Sequence, residues 1–161
     1  MNIQVIRATE TQRGIIAKLL QEYLRHLSTF LKVERDENGT FVYPYLDLYW
    51  KEADRIPLLI QVDGSIAGFA LIREQKAECT IPYMSIAEFY VIPSCQRKGV
   101  GEKAFSLLLD LYRGDWQLSV IRKNLTGVMF WRKVLKAYAA DGLEEQESAD
   151  SVQFHFSVQK W

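Results

Sequence analysis

The chain has 161 residues, of which 48% are hydrophobic, and its 20 basic residues balance its 20 acidic residues. This length predicts a single domain over residues 1–161, and the apolar content suffices for a core, which excludes disorder as the main state. A formal net charge of zero argues against nucleic-acid binding through bulk electrostatics, so an anion site would have to be a local cluster.

The N-terminal segment has no basic run followed by an apolar stretch, and no window approaches 18 uninterrupted apolar residues. We therefore expect no secretory signal, no membrane span and no membrane partner. Cys79 and Cys95 form no CxxC pair, and two reduced thiols in a cytoplasmic protein are the simplest interpretation. No cluster of His, Cys and acidic residues has ligand spacing, so we expect no metal.

The first part of the chain predicts a strand followed by an amphipathic helix. Residues 2–7 form the strand, and Thr9 with Gln12 makes a capping box at the start of the helix. Residues 34–40 are charged and contain Asn38-Gly39, which favours a loop. A strongly aromatic segment follows at residues 41–50.

The remaining patterns predict a hairpin and then alternating strands and helices. Asp63-Gly64 separates two apolar runs and is the dipeptide that most strongly favours a two-residue hairpin turn. The acidic residues 141–150 have room for one short strand. The other predicted elements are strands at 56–62, 65–72, 85–91, 116–121 and 152–158, and helices at 99–112 and 126–138. This order predicts a mixed α/β sheet, antiparallel in its first half, with a crossover in the second.

Residues 88–104 are the most informative segment, because an apolar strand there enters a basic, glycine-containing turn that opens a helix. A helix N-terminus offers unpaired N–H groups to an anion, most naturally a phosphate. Gly99 and Gly101 allow a close approach of the backbone, and Arg97 and Lys98 add positive charge.

Several interpretations of this turn compete. An ordinary strand-to-helix connection would also contain glycines. A P-loop requires GxxxxGK[ST], which is absent. A dinucleotide fingerprint tolerates Ala104 at its third glycine position, but it belongs near the start of a βαβ unit, whereas this turn follows four predicted strands.

Two motifs resemble those of the GNAT superfamily of N-acetyltransferases. Residues 96–101, Gln-Arg-Lys-Gly-Val-Gly, match its Q/R-x-x-G-x-G/A signature, and residues 124–131, Asn-Leu-Thr-Gly-Val-Met-Phe-Trp, resemble its Asn-x-x-Ala-x-x-(Phe/Leu)-Tyr motif. The similarity in element order runs from about residue 3 to the C-terminus, but it is specific only over residues 88–135. It implies an acyl-CoA N-acyltransferase-like fold and acetyl-CoA as co-substrate.

The resemblance also implies which residues hold acetyl-CoA. The end of the fourth strand would pair with the pantetheine arm, the amides of residues 97–102 would cradle the pyrophosphate, and Asn124 and Phe130 would contact the pantetheine. The residues assigned to the cofactor are Phe89, Tyr90, Val91, Gln96, Arg97, Lys98, Gly99, Val100, Gly101, Glu102, Asn124 and Phe130. Trp131 departs from the family's usual Tyr and cannot serve as the acid, and Gly127 replaces the usual Ala.

Glu88 is the candidate general base. An alkylammonium with a pKa of ~10.4 is deprotonated in only roughly one molecule in 10³ at neutral pH, so acetyl transfer to an amine is expected to need a base. Glu88 is the sole charge in the otherwise apolar strand 85–91, where a carboxylate is costly. The alternative is a Glu paired with Lys or Arg at the edge of the sheet.

Strand alternation places Glu88 and Tyr90 on one face together with Ile86, and Phe89 and Val91 on the other with Ala87. Tyr90 is therefore the candidate proton donor, with core packing as the alternative.

We expect an enzyme that moves an acetyl group directly, in a ternary complex, to a primary amine of a small molecule or protein. A non-catalytic acyl-CoA sensor and an interaction module with the same fold are the alternatives, and a homodimer stays open. In the family, the region equivalent to residues 41–50 commonly lines the acceptor site, but a packed corner of the core is an equal interpretation. His26 and His155 could each line that site or lie at the surface.

Overall fold

The computed structural model describes residues 1–76, 78, 81–139 and 141–159; Cys79 lies outside them. Within these residues, seven strands form one sheet in the order β1-β2-β3-β4-β5-β7-β6. The strands are β1 Ile3–Arg7, β2 Arg55–Val62, β3 Ser65–Gln75, β4 Tyr83–Val91, β5 Gly114–Ile121, β6 Glu144–Glu147 and β7 Ser151–Val158, and the α-helices are α1 Arg13–Leu27, α2 Val100–Leu111 and α3 Leu125–Tyr138. None of the helices in this part of the chain is both long and apolar enough to cross a membrane.

The first four strands form an antiparallel meander, as the sequence predicts. The turn between β2 and β3 places Asp63 at φ 50° and Gly64 at φ 82°, the left-handed pair that a type I′ turn requires. The capping box is confirmed as well, since the Thr9 N–H donates to Gln12 Oε1 at 2.9 Å.

The second half contains the crossover. β4 leads through α2 to β5, which pairs with β4 in parallel, and β7 inserts antiparallel between β5 and β6. The acidic stretch holds β6, the additional short strand. The mixed α/β architecture is therefore confirmed.

Helices cover the two faces of the sheet unequally. α1 and the 41–50 segment pack on the face of β2 and β3 that carries Leu59, Phe69 and Leu71, which we call the α1 face. α2 and α3 pack on the opposite face, the α2–α3 face, against a larger cluster that includes Trp116 and Phe154. The apolar residues of α2 do not all face the core: Leu111 is 58% exposed, whereas Phe105 and Leu109 are buried.

A bulge in β4 shifts the alternation of its side chains. Leu71 pairs with Glu88 and Ile72 with Ile86, so Ala87 has no partner on β3. Ile86 consequently packs in the α2–α3 cluster with Phe89, and its predicted place beside Glu88 is wrong. An extra residue in one strand moves the preceding side chains of that strand to the opposite face of the sheet.

Gly68 is required by the close approach of β3 to the end of β4. A Cβ at this position would lie 2.0 Å from the Tyr90 carbonyl oxygen, whereas a Cβ at Gly14, on α1, would meet nothing within 4 Å. We expect Gly68→Ala to lower the free energy of unfolding by roughly 1–3 kcal/mol, because rigid backbone must move. Gly14→Ala should instead leave stability equal or slightly higher. Urea unfolding of both variants checks the difference, and equal stabilities would contradict the close approach.

Candidate active site

β4 and β5 diverge near the middle of the sheet. They pair only where residues 84–86 meet residues 116–118, and beyond this point β4 runs to Val91 and β5 to Ile121 without pairing to each other. Because β4 remains bonded to β3, alternate N–H and C=O groups of residues 87–91 face the gap. The gap can accept an extended, amide-containing chain as an added strand.

The loop after β4 closes one end of this gap. Gln96 Nε2 donates to the Val91 carbonyl at 2.7 Å, so the Gln96 side chain fastens the loop to the strand end. Arg97 and Gly99 adopt left-handed conformations, with φ of 59° and 80°. These conformations turn the chain sharply into α2, whose first N–H groups have no intrahelical acceptor.

The N-termini of α2 and α3 approach each other across the gap. A Cβ on Gly101 would lie 3.1 Å from the Phe130 ring, and Phe130 in turn stacks on Phe89 with ring centroids 6.3 Å apart. Trp131 is buried in the core and meets the Phe89 and Phe105 rings edge-on. This packing explains the departure at Trp131, which is a core residue rather than a proton donor.

Asn124 caps α3 with its own side chain. Its Oδ1 accepts from the Gly127 N–H at 3.0 Å, and a Cβ at position 127 would lie 2.6 Å from its Nδ2. Gly127 thus leaves room for the capping amide. The Asn124 Oδ1 is engaged by the helix, and its NH₂ group is the part that can serve a ligand.

Glu88 is held by two tyrosines on the α1 face. The Tyr23 hydroxyl donates to Oε1 at 3.0 Å, and the Tyr43 hydroxyl donates to Oε2 at 3.1 Å. Among the described residues Glu88 forms no ion pair, so the interpretation as a partner of Lys or Arg is not supported. Burial raises the pKa of Glu88 to about 7, although the two hydrogen bonds oppose this shift.

The pair Tyr23 and Tyr43 is what sequence reasoning missed. Tyr23 belongs to the apolar stripe of α1, and Tyr43 belongs to the aromatic segment. Each is an aromatic side chain that ends in a hydroxyl group, and a buried tyrosine hydroxyl usually has a hydrogen-bond partner. No local pattern indicated that this partner is Glu88.

The raised pKa of Glu88 predicts how stability depends on pH. The folded protein holds this proton up to about pH 7, whereas the unfolded chain releases it near pH ~4.5, so the free energy of unfolding falls as pH rises between these values. Glu88→Gln should remove this loss and be more stable than the wild type at pH 8 by roughly 2–3 kcal/mol, with little difference at pH 4.5. Urea unfolding at both pH values checks this. A variant less stable than the wild type at pH 8 would indicate a stabilising partner for the carboxylate.

Tyr90 lies on the same face as Glu88, as predicted. Its ring packs against Tyr23 and Phe69, and its hydroxyl donates to Glu22 Oε2 on α1 at 3.4 Å. Burial and the nearby Glu22 raise the pKa of Tyr90, so this hydroxyl keeps its proton at neutral pH. The Tyr90 ring therefore packs in the core, and its protonated hydroxyl lies on the side of the strand end that faces α1.

The α1 face also contains a shallow cleft beside the divergence of β4 and β5. Its volume is about 150 Å³, and its polar lining comes from Tyr83, Ser85, Gln117, Ser119, Gln153 and His155. His155 thus borders the gap, whereas His26 packs against Phe30. In the aromatic segment, Phe41 and Tyr49 are core residues, and the Tyr43 hydroxyl donates to Glu88.

The remaining candidates contribute less. Cys95 packs against the apolar cluster around Val100 and Ala104, and within the described residues no His hydrogen-bonds to it, which fits an inert thiol. No group of three or more metal-binding side chains occurs in the described part of the chain. Arg97 and Lys98 are exposed on the loop, where their charges face solvent at the start of α2.

Solved structures share this architecture. The PaiA N-acetyltransferase of Thermoplasma acidophilum, in complex with coenzyme A, has 13% identity and a TM-score of 0.64, with 98% of this chain and 99% of that chain covered. The aminoglycoside acetyltransferase meta-AAC0020, from an uncultured soil metagenomic sample, has 13% identity and a TM-score of 0.66 over 91% and 92% of the two chains.

The ribosomal-protein-S18-alanine N-acetyltransferase of Escherichia coli is similar to the same degree, with 13% identity and a TM-score of 0.64 over 99% of this chain and 96% of that chain. At such identities these similarities show the fold alone. The sequence also shows the family, because residues 20–135 match the sequence model of the acetyltransferase (GNAT) family. The chain therefore belongs to the GNAT family of acetyltransferases.

Proposed function

We propose that the protein transfers the acetyl group of acetyl-CoA directly to a primary amine within a ternary complex. The observation that carries this proposal is the position of Glu88 on β4, in the part of the strand that no longer pairs with β5. The same strand leads to the N-terminus of α2, whose free N–H groups can bind a phosphate. The gap offers backbone N–H and C=O groups to the two amides of a pantetheine arm. The loop offers backbone N–H donors and positive charge to a pyrophosphate. These features fit coenzyme A.

In this proposal the cofactor residues act mainly through the backbone. Residues 89–91 pair with the pantetheine arm, the amides of residues 97–102 bind the pyrophosphate, and Gln96 keeps the loop in place. Phe130 forms an apolar wall, and the Asn124 NH₂ group donates to the arm. When bound, acetyl-CoA supplies an acetyl thioester with a thiol as leaving group.

Glu88 prepares the acceptor. With a pKa of about 7, roughly half of its molecules carry a carboxylate at neutral pH, which suits a general base. The carboxylate removes the proton of the ammonium, directly or through a water, while Tyr23 and Tyr43 fix its orientation. An N–H group near Val91 hydrogen-bonds the acetyl carbonyl, and Tyr90 is the proposed proton donor to the leaving sulfur.

Calorimetry with acetyl-CoA tests the proposal first, and a panel of primary amines read as released free thiol tests it second. Binding together with turnover supports a transferase. Binding without turnover of any amine favours a sensor, and absence of binding favours an interaction module that kept the fold. A rise in melting temperature with acetyl-CoA gives an independent measure of binding.

The charge of the loop predicts a salt dependence. Arg97 and Lys98 are exposed, so their attraction to the cofactor phosphates is screened by salt. We expect the Kd for coenzyme A to rise several-fold between roughly 50 and 500 mM NaCl. The double variant Arg97→Gln/Lys98→Gln should bind more weakly at low salt and show a shallower dependence by calorimetry. An equal salt dependence in both proteins would exclude these side chains from the phosphate site.

A further inference from the structure

One row of polar side chains crosses the α1 face of the sheet next to Glu88. Its members are direct cross-strand neighbours and, in sheet order, are Arg55, Arg73, Ser85, Gln117, His155 and Glu144. Adjacent residues such as Ile72 and Leu118 belong to the α2–α3 cluster, so alternation places the row on the opposite face.

The two arginines of this row differ in how their charge is compensated. Arg55 is buried, donates to Glu52 Oε2 at 2.7 Å and lies 5.5 Å from the centre of the Tyr49 ring. Arg73 is half-buried and forms no ion pair within the described ranges, and its Nε is buried there without a hydrogen-bond partner.

An arginine partly withdrawn from water without an anion is costly. A buried donor without an acceptor calls for an explanation in a native protein. An anionic group of a bound ligand would explain both features of Arg73. Such a ligand can reach Arg73, because the side chain is only half-buried.

Arg73 and Glu88 lie on the same face of the sheet, on the neighbouring strands β3 and β4. Glu88 is opposite Leu71 on β3, and Arg73 lies two positions further along β3, about 7 Å from Leu71. The charges of both groups act on the buried Tyr49 hydroxyl. Ser85, the cross-strand neighbour of Arg73, lines the cleft of about 150 Å³ beside the divergence of β4 and β5.

We propose that the acceptor is a small amine that also carries an anionic group, and that Arg73 binds this anion while Glu88 faces the amine. The inference rests on the transferase function proposed above. A guanidinium pairs with a carboxylate or a phosphate through two parallel hydrogen bonds, and Ser85 and Gln117 supply neutral partners beside it.

Matched pairs of amines test the inference. The nineteen common amino acids with a primary α-amine are each compared with their carboxamides, and O-phosphoethanolamine is compared with ethanolamine, so that the carboxylate and phosphate arms separate the two anions. We expect at least one anionic member to be acetylated with a kcat/KM at least about ten-fold above that of its neutral partner, the scale of one charged hydrogen bond. The same compound should raise the melting temperature of the coenzyme A complex.

Variants assign the preference to Arg73. Arg73→Gln should reduce the anionic member to the level of its neutral partner, leaving the neutral amine and coenzyme A affinity unchanged. Arg73→Lys should retain part of the preference and serves as the informative variant if the glutamine variant does not fold. Lys133→Gln, which removes one exposed charge from α3, controls for the change in net charge and should behave as the wild type.

The outcomes separate the two proposals. Absence of acetyl-CoA binding by calorimetry overturns the transferase function and the inference with it. If acetyl-CoA binds, three results overturn the inference alone: neutral amines that match their anionic partners, an Arg73→Gln variant that slows both equally, or no anionic compound that is acetylated or raises the melting temperature.

Discussion

Gly99→Asp and Gly101→Asp should each weaken coenzyme A binding by about 100-fold or more. Gly99 sits at φ 80° where the chain enters α2, and Gly101 lies in the first turn of that helix, where a side chain would press on Phe130. Either substitution also places a negative charge next to the proposed pyrophosphate site. Two like charges about 4 Å apart near a protein surface repel by about 4 kcal/mol, which is enough for this loss.

Two control variants separate charge from backbone strain. Gly39→Asp introduces the same residue at φ 79° in a loop with open space around it, so it shares the strain but should leave coenzyme A affinity unchanged. Gly99→Asn has nearly the shape of the aspartate, tolerates the left-handed conformation and should bind at least ten-fold better than Gly99→Asp. Calorimetry gives the affinities, and urea unfolding confirms that each variant is folded. Wild-type affinity in both aspartate variants would remove the pyrophosphate from this loop.

Glu88→Gln should lower the turnover rate by on the order of 10²-fold at neutral pH, the usual scale of general-base catalysis. Its affinity for acetyl-CoA should stay unchanged, because the glutamine keeps the shape of the side chain: its carbonyl oxygen accepts from one tyrosine, and its NH₂ group donates to the hydroxyl oxygen of the other. The wild-type rate should rise with pH through about 7 as the carboxylate forms. In the variant this rise should disappear, and activity should recover only at higher pH, where the free amine needs no base.

The rate experiment requires an acceptor and so follows the amine panel. A variant that turns over at the wild-type rate would move the base elsewhere, to a water chain or to His155, which borders the cleft. Tyr43→Phe is the companion variant, because it removes one hydrogen bond to Glu88 and leaves the carboxylate in place. Since that hydrogen bond holds the pKa of Glu88 down, the pH profile should shift to higher pH.

Much of the architecture is readable from the chain because its signals are local. The Asp63-Gly64 turn, the Thr9–Gln12 capping box and the glycine-containing start of α2 each depend on the conformational preferences of a few adjacent residues. Glu88 stands out in the same way, since a single charge in an apolar strand is visible without a structure. These features led to the fold and to the candidate base, and the two motifs led to the family.

Only the tertiary structure decides how those features meet. The bulge at Ala87 moves Ile86 to the other face, and the divergence of β4 from β5 opens the gap. Tyr23 and Tyr43 lie 65 and 45 positions from Glu88 along the chain, and the cross-strand neighbours of Arg73, which are Arg55 and Ser85, come from separate strands. Such contacts are set by strand register and by packing against helices from distant segments, which a period of two or 3.6 residues does not encode.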